Sequence, residues 1–430
     1  MRWVKSGTAA FRKGLADGER RGETDSAKVH AVVAEVLARV RKEGDDALVE
    51  FTRRFDRFDL RKRGAAVPRR EVDAAWKRTP KAIRESLALA ASRIESFHRH
   101  QAESGFTVEI PGALLGQRVR PVSRAGVYVP GGKAAYPSTL LMNAIPAKVA
   151  GVREVYAACA APGGELPDVV LAAARIAGVK RVFRIGGAQA IAAFAYGTGS
   201  VPRVDVIVGP GNAYVTEAKR QVYGWVGLDM LAGPSELVVL ADDTARARFV
   251  AADLLSQAEH DEDTFVALVT DSPRLAKKVD AELARQKRKL PRKEILAGSL
   301  SRSIGFLVKG LDEGIDVVNR LAPEHLALML EDPWGAFERI RNAGTAFVGH
   351  HSPVAVGDYL AGINHTLPTG GAARFSSPLG VATFLKRTNV VSYQFRALAS
   401  DAPHVMRLAK KEGLFAHAQA VRVRTKKEAP

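Results

Sequence analysis

The chain has 430 residues. A single domain with one hydrophobic core is usually shorter, so two or more domains are expected. Its 47% hydrophobic and 26% charged residues are typical of a soluble globular protein. The first residues lack the uninterrupted apolar run of a signal peptide, and no segment approaches the roughly 18 continuous apolar residues of a membrane span. Cys159 is the single cysteine, which excludes an internal disulfide and predicts a reducing, cytoplasmic location.

The formal net charge of +18 raises the question of nucleic-acid binding, because clustered Lys and Arg displace counterions from phosphates. Here the basic residues are spread along the chain, and the short basic runs 285–293 and 422–427 contain no aromatic residues. A generally basic surface, or attraction of small anionic ligands, explains the charge more simply. Neither a nucleic-acid partner nor a membrane is predicted.

The amino-terminal third is predicted to be helical. Apolar residues recur three and four positions apart over 29–40, with Gly44 as a stop, and again over 83–97, after Pro80. His98 and His100 follow the second stripe, and we expect them at a solvated helix end.

From about residue 120 the pattern changes to short apolar runs separated by helical stretches. This alternation predicts βαβ units, and two α/β domains with parallel sheets covered by helices. A mostly helical tail follows residue 380. The predicted strands lie in the runs 126–129, 154–159, 181–187, 204–211, 236–242, 263–271, 303–310 and 344–350.

Three turns in the first α/β series are rich in glycine: 128–139, 185–194 and 208–221. Ligands of open parallel sheets bind at the carboxyl ends of strands, where such turns present N–H groups to anions. None matches GxGxxG, and GxxxxGK[ST] is absent, so the turns fit either a nucleotide or tight connections that need glycine.

Gln257 and His260 are three residues apart at the end of an apolar helical pattern, so they share one helix face. His260, Asp358 and His417 are chemically suited to zinc, but separations of about 100 and 60 residues do not indicate a shared ion. Two interpretations of Gln257 and His260 therefore remain open: a ligand site and a polar helix end.

Glu324 and His325 are adjacent in APEHL, after Pro323. They fit either the start of a helix or a loop that directs two acid/base groups into one cleft. Cys159 lies in an apolar run, so a thiol-dependent dehydrogenase mechanism has no evident nucleophile.

The segment LDMLAGPSELVVLADDTARARFVAADLLSQAEH (228–260) resembles the signature of the histidinol dehydrogenase family. The resemblance covers nearly the whole chain in family order. Its other motifs are GVYVPGG, GGAQAIAAFAYGT, GPGNAYVTEAKRQV, APEHL, GDYLAGINHTLPT and EGLFAH.

The resemblance implies roles for particular residues. Glu324 and His325 would be the acid/base pair, and Gln257, His260, Asp358 and His417 the zinc ligands. The ligands and His325 would also contact substrate, together with Ser235, His365 and Glu412; Tyr128, Gln189 and Asn212 would hold NAD.

The implied activity is the oxidation of L-histidinol to L-histidine through L-histidinaldehyde, the last step of histidine biosynthesis. It would use one Zn²⁺ per subunit and two NAD-dependent hydride transfers. In the family the carboxyl-terminal segment crosses to the partner of a homodimer, so Glu412 and His417 would complete the neighbouring site.

The implied architecture has two Rossmann-like, incomplete parallel-sheet domains with helical amino- and carboxyl-terminal extensions. The predicted boundaries are an arm over 1–20, a first α/β domain over 21–127 and 237–380, an NAD-binding domain over 128–236, and a partner-contacting segment over 381–430.

Two alternatives stay open at this point. One is a relative that oxidises another small alcohol, such as a sulfonated diol, although Glu412 and His417 in EGLFAH suit an amino-imidazole substrate. The other is a basic nucleic-acid-binding protein without catalytic activity.

Overall fold

A computed structural model describes residues 1–22, 27–131 and 135–426. The chain divides into a first unit of Met1–Gln101 and Val122–Phe384 and a second unit of Ala102–Pro121 and Leu385–Pro430. Helices alternate with strands through most of the first unit, which confirms the predicted α/β class. Within the described ranges, no helix is both long and apolar enough to cross a membrane.

The amino-terminal region is mainly helical, as predicted. The apolar stripe of the second helix is buried, and the backbone N–H of Gly44 bonds the carbonyl of Val40, 2.9 Å away, where that helix ends. His98, expected at a solvated end, is instead fully buried, with Nδ1 2.7 Å from the Ile94 carbonyl oxygen. The elements are β1 (Arg2–Lys5), α1 (Ala9–Glu19), α2 (Ala27–Glu43), α3 (Asp45–Phe55), α4 (Leu60–Arg63), α5 (Arg69–Arg78) and α6 (Lys81–Arg99).

The next segment contains a hairpin of the second unit and then a complete parallel sheet. This five-stranded sheet has the order β6-β5-β4-β7-β8, which is the Rossmann order without its sixth strand. The order reverses between β4 and β7. The elements are β2 (Phe106–Ile110), β3 (Ala113–Pro121), β4 (Arg124–Val129), α7 (Pro137–Val149), β5 (Glu154–Cys159), α8 (Asp168–Ile176), β6 (Arg181–Phe183), α9 (Gly187–Tyr196), β7 (Val206–Val208), α10 (Ala213–Val222) and β8 (Gly227–Leu228).

A six-stranded parallel sheet follows, with the order β1-β11-β10-β9-β12-β13. Strands β9 to β13 repeat the incomplete Rossmann order, and β1 adds an edge strand beside β11. The sequence pattern predicted neither β1 nor β12. The elements are β9 (Glu236–Ala241), α11 (Ala247–Ala258), β10 (Phe265–Thr270), α12 (Pro273–Lys287), α13 (Lys293–Ser301), β11 (Ile304–Leu307), α14 (Leu311–Leu321), β12 (His325–Met329), α15 (Pro333–Phe337), β13 (Thr345–Val348) and α16 (Val354–Tyr359).

The second unit combines an antiparallel sheet, of order β14-β3-β2, with two helices. The predicted helical tail therefore begins with a strand. Its residues are almost all exposed and mostly polar, so they gave no alternating pattern, and pairing with β3 places them in a sheet. The elements are β14 (Leu385–Tyr393), α17 (Phe395–Lys411) and α18 (Phe415–Thr425).

The segment predicted as an amino-terminal arm contributes to the core of the six-stranded sheet. Strand β1 pairs in parallel with β11, and Phe11 and Leu15 of α1 are buried beside it. Helix α2 packs against α9, which belongs to the five-stranded sheet. The domain boundaries given above stay a prediction.

Phe183 gives a direct test of the core beneath the five-stranded sheet. Its side chain is fully buried and packs against the rings of Tyr156 and Phe194, with centroids 6.1 and 6.3 Å apart. Phe183→Ala should reduce the free energy of unfolding by about 3–5 kcal/mol, because it opens a cavity in a packed interior. Urea titration measures this loss.

Phe375→Ala is the matched control, because that ring is 87% exposed and its loss should change stability by less than about 0.5 kcal/mol. Equal stability of the two variants would contradict the packing described here.

Candidate active site

The Glu324–His325 pair lies at the amino-terminal edge of the six-stranded sheet. His325 is the first residue of β12 and is paired with Leu237 of β9. Both members of the pair are at most 5% exposed. The pair therefore begins a buried strand, and the helix-start interpretation of APEHL is wrong, because β9 and β13 supply parallel partners for the chain after Pro323.

The backbone of Glu236 binds both members of this pair. Its N–H donates to Oε2 of Glu324 over 2.6 Å, and its carbonyl oxygen lies 2.9 Å from Nδ1 of His325. A carbonyl oxygen only accepts hydrogen bonds, so Nδ1 carries the proton. Nε2 then carries the lone pair and lies 3.8 Å from Oδ1 of Asp358.

Burial and the neighbouring carboxylates act in opposite directions on the proton affinity of His325. Burial by itself lowers the pKa of the imidazole, but the carboxylates of Glu324 and Asp358 outweigh it and raise the pKa to about 9. The protein groups alone therefore favour the imidazolium at neutral pH, whereas the resemblance implies a neutral base.

Asp358 lies between two histidines. It is the second-last residue of α16, and its Oδ1 is 3.9 Å from Nδ1 of His365 as well as close to His325. Nδ1 of His365 also lies 3.2 Å from the Asp358 carbonyl oxygen, and Nε2 lies 3.0 Å from the hydroxyl of Thr139. Burial lowers the pKa of His365, which favours a neutral ring.

Gln257 and His260 lie at the carboxyl-terminal end of α11, which packs against α16. The amide of Gln257 is buried, and neither of its polar atoms has a hydrogen-bond partner among the described residues. Nδ1 of His260 lies 3.1 Å from the Ser256 carbonyl oxygen, which assigns the proton to Nδ1 and leaves Nε2 as a lone-pair donor.

The carboxylate of Asp358 and the imidazole of His260 are chemically suited to zinc, which takes carboxylate oxygen and imidazole nitrogen as ligands. The amide of Gln257 has no competing hydrogen bond among the described residues. In the part of the chain that the structure describes, no cluster of three or more His, Cys, Asp or Glu side chains converges on one point. A metal held here therefore needs the amide of Gln257 or a ligand from elsewhere.

The predicted ligand His417 and the predicted substrate contact Glu412 both belong to the second unit. Glu412 follows α17 as its carboxyl-terminal cap, and His417 lies in the first turn of α18. Both side chains are exposed.

The three predicted NAD residues surround the carboxyl ends of β4 and β7. The hydroxyl of Tyr128 accepts the N–H of Gly187 at the start of α9, and burial raises the pKa of this phenol to about 12. Gln189 is fully buried, and neither polar atom of its amide has a partner within the described ranges. Asn212 caps α10 through its side-chain oxygen, a structural role that its sequence context did not reveal.

A cavity of about 260 Å³ opens at the carboxyl ends of β4 and β5, where Val129, Pro130, Gly131 and Cys159 are among the residues that line it. The adjacent turn is tight, because Gly209 has a φ of +109° and a Cβ there would lie 2.2 Å from the carbonyl oxygen of Tyr128. Residues 132–134 of the first glycine-rich turn lie outside the described residues.

Comparison with known proteins gives one consistent result. A family model described as histidinol dehydrogenase matches residues 19–425. The histidinol dehydrogenase of Syntrophotalea carbinolica is 48% identical over 428 residues, 99% of each chain, and that of Geobacter metallireducens is 49% identical over 411 residues, 95% of this chain and 94% of the other. A crystal structure of histidinol dehydrogenase from Elizabethkingia anophelis matches with a TM-score of 0.92 and 35% identity, covering 99% of this chain and 98% of the other.

The chain belongs to the histidinol dehydrogenase family. It is therefore an NAD-dependent oxidoreductase that acts in histidine biosynthesis by oxidising histidinol. This membership confirms the resemblance drawn from the motifs.

Several residues in or near the site of this histidinol dehydrogenase family member were not predicted from the sequence. Glu236 is the most informative, since a carboxylate that opens the apolar strand ELVVLA must be buried and therefore needs partners. Asp253, one helical turn before Gln257, is also buried, and burial raises its pKa to about 7. Thr139 and Arg21 gave no comparable signal.

The balance between burial and the neighbouring carboxylates at His325 leads to a titration prediction. In metal-free protein the ring should titrate near pH 9, and Asp358→Asn should lower this pKa, because one of the carboxylates that stabilise the imidazolium is removed. Since the folded pKa lies above the ordinary 6.5, the protonated ring stabilises the fold below about pH 6.5, and this contribution is lost as pH rises through about 9.

The measurement is a ¹⁵N NMR titration of histidine-labelled protein, with the signal assigned from His325→Gln. Asp263→Asn is the control, because its carboxylate is exposed and paired with Arg302. Identical His325 titration curves for Asp358→Asn and the wild type would contradict this electrostatic assignment.

Proposed function

We propose that the chain oxidises L-histidinol to L-histidine through L-histidinaldehyde, in two hydride transfers to NAD, as the last step of histidine biosynthesis. The observation that carries this proposal is the buried Glu324–His325 pair, whose imidazole has Nδ1 fixed and Nε2 available near Asp358. A base oriented in this way can take the proton of an alcohol whose carbon loses a hydride.

Zinc would be held by Gln257, His260, Asp358 and, from a second copy of the chain, His417. The buried amide of Gln257, which has no hydrogen-bond partner among the described residues, and the orientation of His260, whose Nδ1 faces the Ser256 carbonyl, support this assignment. When bound, zinc would orient the imidazole and amino groups of the substrate and oppose protonation of the neighbouring His325 by its charge. Ser235, His365 and Glu412 would complete the substrate contacts.

The proton steps follow from the positions of the side chains. Nε2 of His325 would accept the hydroxyl proton as the carbinol carbon loses its hydride, which yields the aldehyde. Glu324, oriented by the Glu236 N–H, would help water add to the aldehyde and give the hydrate. His325, once deprotonated again, would take a proton from the hydrate as the second hydride leaves, and the product is the carboxylic acid.

NAD would bind at the carboxyl ends of β4 and β7 with Tyr128, Gln189 and Asn212, and when bound it would supply the hydride acceptor. This is the point where the strand order reverses, which is where open parallel sheets bind dinucleotides. The first turn of α9, which begins at Gly187, presents backbone N–H groups suited to a pyrophosphate beyond the Gly187 N–H, which donates to Tyr128.

A homodimer that shares its sites would explain the surface of the second unit. Its described part has only four buried apolar residues, all alanines, whereas many large apolar side chains are exposed, a pattern typical of an interface. The exposed set is Phe106, Val108, Ile110, Val390, Val391, Tyr393, Phe395, Val405, Leu408, Leu414, Phe415 and Val423. The segment 381–430 would then contact the partner subunit.

We also retain the proposals that the protein is cytoplasmic and works on a small molecule without nucleic acid or membrane. The single cysteine, Cys159, is buried, and burial raises the pKa of its thiol to about 12, as expected for a structural cysteine in a reducing compartment.

The reaction is tested by counting NADH per L-histidinol consumed. Two NADH per substrate are expected, because oxidation of the alcohol to the acid removes two hydrides. Chelation should abolish turnover while far-UV circular dichroism stays unchanged. Added zinc should restore the rate.

One NADH per substrate would contradict oxidation to the acid, and full activity in metal-free protein would contradict the role of zinc. NADH formation from a sulfonated diol but not from histidinol would favour the alternative substrate.

The shared site is tested by subunit complementation. His325→Ala and His417→Ala chains should each be inactive alone, yet their heterodimer should recover activity, because one hybrid site takes an intact pair from one chain and an intact His417 from the other. Activity of purified heterodimers measures this.

The control is a heterodimer of Glu324→Ala and His325→Ala chains. Every site then takes both members of the pair from one chain, so no site is complete and no recovery is expected. Failure of the first heterodimer to recover would contradict the crossing of the tail.

A further inference from the structure

A buried ion pair lies directly behind the Glu324–His325 pair. Nε of Arg21 is 2.9 Å from Oε1 of Glu236, and its Nη2 is 2.6 Å from Oε2, a bidentate contact. The two side chains are only 8% and 3% exposed. Bidentate arginine–carboxylate contacts of this kind fix orientation as well as charge.

Every polar group of Glu236 is used in this arrangement. Its side chain accepts the backbone N–H groups of Gly370, over 2.6 Å, and of Glu324, over 3.2 Å. Its own N–H holds the Glu324 carboxylate and its carbonyl faces Nδ1 of His325. A single residue therefore sets the backbone and side chain of one member of the pair and the tautomer of the other.

Arg21 also binds the segment that leads into this pair. Its Nη1 donates to the Gly18 carbonyl over 2.6 Å, and its Nη2 lies 3.5 Å from the carbonyl oxygen of Ala322. Ala322 has a φ of +45°, a left-handed conformation that is strained for any residue with a Cβ. The guanidinium thus contacts a strained residue two positions before Glu324.

The charge of Arg21 matters because two carboxylates are buried together here. Glu236 and Glu324 each bind the other's backbone N–H, and both are at most 5% exposed. A buried carboxylate without a counter-charge is strongly unfavourable, so the loss of one partner from such a pair costs far more than the pair contributes. Without Arg21, Glu236 would have to turn toward water or take up a proton.

We propose that the Arg21–Glu236 ion pair positions the Glu324–His325 pair for proton transfer. Arg21 and Glu236 are positioning residues that do not touch the substrate. The inference rests on the proposed function to the extent that Glu324 and His325 are its acid/base groups.

The first test separates kcat from KM. Arg21→Met removes the charge at similar length, and it should lower kcat at least about tenfold while KM for histidinol changes less than about threefold, since the pair acts on the chemical step. Arg21→Lys restores the charge without the bidentate geometry and should recover part of kcat. Arg320→Met is the control, since it removes another bidentate arginine–glutamate contact, with Glu19, at an exposed position.

A double-mutant cycle tests the coupling of the two charges. Glu236→Gln should also lower kcat, and the combined Arg21→Met and Glu236→Gln variant should lose less than the product of the two single losses, because no unpaired charge remains. Independent, multiplicative losses would overturn the proposal, as would a wild-type kcat in Arg21→Met.

A second readout needs no turnover. Hydrogen exchange should become faster in Arg21→Met at the amides of Glu236, Glu324 and Gly370, which the ion pair holds, and should stay unchanged in Arg320→Met. A wild type that forms no NADH from histidinol would contradict the proposed function alone. Unchanged exchange at these three amides would overturn the positioning role whatever the substrate.

Discussion

The site depends on the parallel pairing of β9 and β12. Their register places His325 beside Leu237, so the peptide groups of Glu236 face Glu324 and His325 at the first step of the ladder. The sheet fixes the register of these strands, because a shift of one residue would move every side chain to the other face. The carbonyl of Glu236 is therefore held beside Nδ1 of His325.

Several charged side chains lie together at this strand edge and are shielded from solvent. Two carboxylates, an imidazole and a guanidinium are buried around the start of β12, and each is satisfied by an opposite charge or a backbone group. Such a network is stable only when complete, because each missing partner leaves a buried charge unpaired. The position of Arg21, far from β9 and β12 in sequence, ties the start of the chain to the site.

The sequence predicted the strands that consist of an apolar run between turn residues, such as 154–159 and 236–241, because burial on both faces leaves a clear signal. It did not predict β12, because Pro323 and the Glu324–His325 pair interrupt the apolar pattern where that strand begins. It did not predict β1 or β14 either, because these strands form only by pairing with residues that are distant in sequence. Helical spacing placed Gln257 and His260 together, but only the resemblance named them as ligands. The partners of Glu236 are distant in sequence, and no local pattern contains them.

The two parallel sheets share an incomplete Rossmann order, yet opposite edges carry their candidate sites. The five-stranded sheet offers its carboxyl edge, where the N–H groups at the start of α9 suit an anionic cofactor. The six-stranded sheet offers its amino edge, where Glu324 precedes β12 and where α11 ends, next to Gln257 and His260. The carboxyl-terminal end of α11 carries the negative end of the helix dipole, which favours a nearby cation. The same strand order thus places a helix amino-terminus at the candidate cofactor edge of one sheet and a helix carboxyl-terminus at the edge that carries the Glu324–His325 pair in the other.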